Sequence, residues 1–271
     1  MEIGSFAELV PLLSNFWCTI PPALQLKLES SLTLLKQDHQ LTKLFFLGRL
    51  EAHSASYLLA FGSPGLDLFQ QRKFYYSRNG VDWLLLLEPT DWTDDWVRLW
   101  GEFTGNASFA YKIRSLAVGS PNVLVREQDR LWYVMHAILR EAVGVPRGAL
   151  RMSSDREVVL NPFFQGLSRE ELVELANYQH FRRPERSAEE NLRGRKECNL
   201  SFDVFDRLLV DVLPEGKSFT MRLDDSERLV MWSSLHWLGL NFFHKADSNL
   251  FGFFYQGDGR KNWDLPFMVE L

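Results

Sequence analysis

Only two cysteines occur in the 271 residues. Cys18 and Cys198 lie far apart and match no Cys-x-x-Cys or Cys/His ligand spacing, which excludes a disulfide framework and fits reduced thiols in a cytosolic compartment. No apolar run approaches the ~18 residues of a membrane-spanning helix. The opening Met1-Glu2-Ile3-Gly4 carries neither a basic signal-peptide region nor a myristoylation glycine. Asn106-Ala107-Ser108 and Asn199-Leu200-Ser201 fit the glycosylation pattern, which has no weight without a secretory signal. Thirty Lys and Arg against thirty-five Asp and Glu leave a net charge of −5, so whole-protein attraction to nucleic acid or anionic lipid is excluded.

Chemical motifs are missing as well. The chain has no GxxxxGK[ST] phosphate loop, no GxSxG nucleophile elbow, no HExxH zinc helix and no EF-hand loop. Its six histidines include no i,i+4 pair. The neighbouring acids Asp94-Asp95, Asp224-Asp225 and Glu189-Glu190 point apart and do not share a proton. These absences predict no catalytic residue, no cofactor and no metal. Internal repeats and low-complexity tracts are also absent.

What the chain does have is an ordinary globular balance, 46% hydrophobic and 24% charged, and an excess of rings. Twenty-one Phe and nine Trp lift the aromatic share to 14%. They serve either a ring-packed core or contact surfaces, where Trp is a favoured anchor.

Patterning predicts an α+β fold. After Pro21-Pro22, the spacing of Leu24, Leu28, Leu32 and Leu35 predicts a helix packed on a sheet that begins with Leu44–Leu47 and Tyr57–Phe61. Asn79-Gly80 between Phe74–Tyr76 and Trp83–Leu87 predicts a tight hairpin, and the unbroken run Trp83–Leu87 predicts a strand covered on both faces. Thr90 to Trp100 reads as a short acidic helix or loop with Trp92, Trp96 and Trp100 on one stripe. A helix is expected over Asp129–Val143, and another from Arg169 to Tyr178, opened by the Ser168/Glu171 capping box. Arg182 to Glu197, almost all polar, reads as a solvated linker or a docking arm. Phe219–Leu223, Leu229–Trp232, Leu240–His244 and Leu250–Tyr255 predict an antiparallel meander. The chain is expected to form one unit, readable as two lobes. Residues 1–144 hold N-terminal helices on an antiparallel sheet, and 145–271 a helix-plus-meander lobe with a polar loop at 182–197.

Several strings, read in order, carry a family likeness. They are Leu34-Leu35-Lys36 with Phe46-Leu47-Gly48-Arg49, Arg72-Lys73 before Tyr76-Ser77, Val145-Pro146-Arg147-Gly148-Ala149-Leu150, Gly166-Leu167-Ser168 and His180-Phe181-Arg182. At the end stand Tyr255-x-Gly257-x-Gly259, Lys261-Asn262 and Asp264-Leu265-Pro266-Phe267-Met268. Across about Leu32 to Met268 the chain resembles the radial spoke head protein 9 family, subunits of the spokes in motile cilia and flagella. It departs from the family pattern at Trp237-Leu238-Gly239, where Trp-Pro-Gly is expected, and over Thr90–Arg130 and Pro184–Leu200.

The resemblance implies a non-enzymatic structural subunit of the spoke head in the axoneme, a cytoskeletal assembly of the cytoplasm. It would relay central-pair signals toward dynein. Implied partners are radial spoke head proteins 4 and 6 and other spoke subunits, including MORN-repeat head proteins, with indirect contact to central-pair microtubule projections and none to nucleic acid or membrane. Candidate interface residues are Trp263, Leu265, Pro266 and Phe267, apolar groups beside a polar turn, with Arg182 and Arg183 as contacts to an acidic partner. The competing reading of the C-terminal cluster is that it docks back on its own sheet. A different class of function, a small-molecule or nucleotide-binding enzyme, would use the Gly257–Lys261 turn with Asp264 as an acid; against it, a dinucleotide fingerprint needs a third glycine and a following helix.

Overall fold

A computed structural model describes residues 1–16, 18–90, 101–113, 123–194, 198–211, 216–226 and 228–268. A one-turn helix, α1 (Phe6–Leu9), precedes the long helix α2 (Pro22–Asp38). Pro22 occupies the first turn of α2, where a missing N–H costs nothing. From there the helix turns Leu28, Leu32 and Leu35 inward, as their spacing predicts.

The sheet starts with β1 (Lys43–Leu50), β2 (Tyr57–Ser63), β3 (Lys73–Ser77) and β4 (Leu84–Leu86), each antiparallel to the next. A small hairpin, β5 (Ala110–Ile113) and β6 (Val123–Arg126), leads into helix α3 (Glu127–Glu141). Short elements follow: β7 (Gly144–Pro146), β8 (Leu150–Met152), β9 (Val158–Leu160), α4 (Arg169–Leu172), β10 (Tyr178–His180), α5 (Ala188–Leu192) and α6 (Leu208–Asp211). The expected meander is β11 (Phe219–Asp224), β12 (Leu229–Ser234), β13 (Leu240–Lys245) and β14 (Phe251–Gly257), and a last turn, α7 (Leu265–Met268), ends the described chain.

The architecture is α+β. Its centre is one eight-stranded sheet in the order β11-β12-β13-β14-β1-β2-β3-β4, joined in the middle by the parallel pair β1/β14. That junction depends on Gly48, at a register shift in β1, with φ +143°. A Cβ there would fall 2.0 Å from the Tyr255 carbonyl oxygen, so only glycine lets the strands meet. Ahead of it the Met1 ammonium lies between the strands, donating to the carbonyls of Phe46 at 2.8 Å and Phe253 at 3.2 Å.

Alternation along each strand gives the sheet two apolar faces. On one, Phe46, Ala60, Tyr75, Phe243 and Phe254 meet α2 and the N-terminal turns. On the other, Phe45, Phe61, Phe74 and Phe253 meet α3, Tyr178 and Phe181. Phe61 stacks with Phe45 at 5.1 Å and with Phe253 at 6.2 Å, and Phe181 stands edge-on to Phe45. Much of the aromatic excess is therefore ring packing across the sheet.

Four expectations are corrected. Trp83–Leu87 is not covered on both faces: among the described residues β4 is the edge strand, and Leu84, Leu85 and Leu87 are exposed. The β3–β4 connection spans residues 78–83, wider than a tight turn, because the Asn79 carboxamide oxygen accepts the N–H groups of Val81 and Asp82 and only Gly80 has positive φ there. The Ser168/Glu171 capping box is present, but α4 stops at Leu172, because Tyr178 is drawn into β10 by pairing with β7 and by packing on Trp232 and Phe242. The stretch Arg182–Glu197 is not a bare linker: α5 forms inside it with its own Ser187/Glu190 capping box. The predicted Trp92, Trp96 and Trp100 stripe lies outside the described residues.

Candidate functional site

The side chains most able to do chemistry are buried carboxylates, and each is bonded by loop backbone together with hydroxyl, amide or guanidinium side chains. Glu127, at the start of α3, accepts the Tyr57 hydroxyl at 2.7 Å, the Thr104 N–H and hydroxyl at 2.8 Å each, the Gly105 N–H at 2.8 Å and the Tyr111 hydroxyl. Burial pushes its pKa up, but the bonds from Tyr111, Tyr57 and Thr104 outweigh burial and hold it below the usual carboxylate value. One turn along, the Arg130 guanidinium lies 3.9 Å over the Phe103 ring and donates to the Gly101 carbonyl at 2.7 Å. Together they clamp residues 101–111 onto the core.

Three aspartates repeat the device. Asp67 accepts the N–H groups of Phe69, Gln70 and Val158 and pairs with Arg183 at 2.6 Å. Asp203 takes a two-point contact from Arg147, at 2.6 and 2.9 Å, and the Asn199 N–H. Asp206 accepts from Glu185 N–H, Arg186 N–H and Asn191 Nδ2 and pairs with Arg182 at 3.0 Å. Buried charge needs this degree of pairing to persist. None of these four acids was singled out in the sequence, because their partners lie up to 116 positions away.

Both candidate arginines belong to this system. Arg182 is 12% exposed, held by Asp206 and Glu185, whereas Arg183 keeps half of its side chain in solvent while pairing with Asp67. They line a cavity of about 510 Å³ walled by Phe69, Phe74 and Trp132. Among the described residues no group of three or more His, Cys, Asp or Glu side chains is placed to hold a metal ion.

Fully buried His244 ties two loops. Its Nε2 accepts the Leu167 N–H at 3.1 Å, which assigns the ring proton to Nδ1, 3.3 Å from the Leu250 carbonyl oxygen. Burial pulls its pKa down to about 4, and that of His180 to about 3. Below pH 6.5 the unfolded chain binds protons at these imidazoles that the folded chain refuses, so stability falls as pH drops from 6.5 toward 4. Each histidine contributes a slope of about 1.4 kcal/mol per pH unit. Urea unfolding at pH 7 and pH 5 measures this, and His244→Phe, which keeps a ring against Phe164, removes about half of the slope.

The Gly257–Lys261 turn is filled from within. Gly259 has φ +76°, its N–H donates to the Tyr255 hydroxyl at 2.8 Å, and a Cβ would sit 2.5 Å from the Phe103 ring. Arg260 pairs with Glu102 and Asp258, each at 3.6 Å. Lys261 pairs with Glu141 at 2.9 Å and lies 4.4 Å over the Trp263 ring. Phosphate binding would have to displace these contacts.

Beyond the turn the C-terminal candidates divide. Leu265 is buried and anchors α7, while Pro266, Phe267 and Met268 face solvent, Phe267 at 89% exposure. Trp263 is 38% exposed, and the β12–β13 turn, whose Trp237 bridges to Lys261, exposes Leu238. Asn262 fixes the segment by donating to the Leu235 carbonyl at 3.2 Å.

The buried acids are thus bonded within the chain, the glycine turn is filled, and Pro266 and Phe267 are exposed beyond it. No protein-family model matches it. Over 89% of its length it is 34% identical to the radial spoke head protein 9 homolog of Danio rerio, 90% of which is covered. The homologs of Bos taurus and Homo sapiens are each 31% identical over 99% of this chain and 100% of their own. The chain belongs to the radial spoke head protein 9 family.

Proposed function

We propose that the chain is a non-enzymatic structural subunit of the radial spoke head in the axoneme of motile cilia and flagella. There it assembles with radial spoke head proteins 4 and 6 and with MORN-repeat head proteins, and it relays contact with central-pair projections toward dynein. The observation that carries the assembly reading is the C-terminal face. Leu265 pins α7 from inside while Pro266 and Phe267 point outward and Trp263, under Lys261, keeps part of its ring in solvent, an exposed ring of the kind that anchors an interface. Arg183 adds a charged contact elsewhere, whereas Arg182 acts by holding its own loop to Asp206. The halves 1–144 and 145–271 move as one body in this reading, which the β1/β14 junction supports.

Size-exclusion chromatography with light scattering tests it, on the chain alone and mixed with proteins 4 and 6 at micromolar concentration. A defined co-eluting complex is expected. A monomer that ignores both partners overturns the proposal.

A further inference from the structure

The cavity of about 510 Å³ beside Arg182 and Arg183 lies where three parts of the chain meet: the β2–β3 connection, the side of α3 that carries Trp132, His136 and Arg140 four apart, and residues 182–185. Its apolar wall includes Phe74 and Trp132, and the His136 ring stacks on Trp132 at 5.0 Å. Four arginines line it, and three of them have carboxylates: Arg140 pairs with Glu185, Arg182 with Glu185 and Asp206, and Arg183 with Asp67. The fourth, Arg72, forms no ion pair among the described residues. Its guanidinium lies 4.8, 5.1 and 5.3 Å from the ring centres of Phe69, Phe61 and Phe181. Its Nε donates to the Leu68 carbonyl at 3.4 Å, and its buried Nη2 has no acceptor. Burial, only partly offset by Asp67, pulls its pKa down to about 9. Ring faces attract a cation, but a buried charge also calls for a countercharge.

We propose that this cavity takes a carboxylate carried beside an apolar or aromatic group. The carboxylate supplies the missing countercharge to Arg72, and Arg183, with half of its side chain in solvent and one contact to Asp67, meets it from the solvent side. A guanidinium presents its donors in the fork that a carboxylate accepts. The apolar group lies on Trp132 and Phe74. The volume falls in the range of small-ligand sites, ~300–1,000 Å³, which admits a few side chains and no folded domain. The carrier is therefore a short acidic segment of another spoke head subunit, an assignment that rests on the spoke head reading above.

Thermal unfolding of the isolated full chain with 3-phenylpropionate, and with the neutral 3-phenylpropionamide at matched ionic strength, tests the site. At ten times its dissociation constant the acid raises the midpoint by about 3 °C, and the amide does not; this comparison needs no variant. Arg72→Met, which keeps a long side chain among the rings, abolishes the difference, leaves the midpoint without ligand within about 3 °C of wild type, and lowers recovery of the chain in radial spoke heads purified from cilia about tenfold. Equal shifts from acid and amide overturn the proposal. So does a midpoint lowered by Glu88→Gln, because the exposed Glu88 at the cavity wall would then already serve Arg72. Acid binding together with undiminished entry of Arg72→Met into the heads overturns the assignment to a partner segment. A wild-type chain missing from the heads refutes the spoke head reading, while the titration still decides the site.

Discussion

Glu127→Ala lowers the unfolding free energy by about 3–5 kcal/mol, a large share of the roughly 5–15 kcal/mol that holds a domain together. The size follows from what is left behind. Five donors from four residues, Tyr57, Thr104, Gly105 and Tyr111, converge on one carboxylate, and alanine leaves them without that acceptor, those of Tyr57 and Gly105 in the interior. The Thr104 and Gly105 N–H groups cannot turn elsewhere, because they are fixed in the backbone. At ~2–4 °C per kcal/mol for a chain of this size, the thermal midpoint falls by about 10 °C. Glu127→Gln keeps the shape but replaces one acceptor oxygen by a donor, and costs about half as much. Calorimetry on the two variants separates lost acceptors from lost volume, and equal midpoints for wild type and Glu127→Ala would remove the clamp from the account.

Phe267→Asp weakens binding to the spoke head partners at least about 30-fold, the hot-spot scale of ~2 kcal/mol, and leaves the fold unmoved. The ring is 89% exposed in the chain alone, so replacing it disturbs no packing, whereas in a complex it would bury a charge. Trp263→Ala discriminates between the two readings of the cluster. If Trp263 is an anchor, affinity falls and the thermal midpoint holds. If it docks back on its own fold under Lys261, the midpoint falls and affinity holds. Titration calorimetry and thermal unfolding on the same samples read both quantities.

Local pattern made much of this fold legible. The Leu28, Leu32 and Leu35 stripe, the Ser168 capping box and the C-terminal meander each declare themselves within a few residues, and each is found. The errors came where position in the fold overrides local pattern. Trp83–Leu87 reads as an inner strand because composition reports what a strand wants covered, not what this chain supplies. Helix α4 is cut short by Tyr178, whose ring packs against strands about 50 positions away. The polar stretch after Arg182 reads as a linker because its fasteners are distant, Asp67 and Asp206 holding Arg183 and Arg182. Of the candidate site, Phe267 and Trp263 stood out as apolar groups beside a polar turn, but the inward turn of Leu265 between them needed coordinates.

The central claim, that this chain is a structural part of the spoke head, is tested most directly by cryo-electron tomography of axonemes from cells that lack it. Spokes with stalks present and heads missing or reduced are expected, restored by the wild-type chain and poorly by Phe267→Asp. Complete heads in the absence of the chain would contradict it.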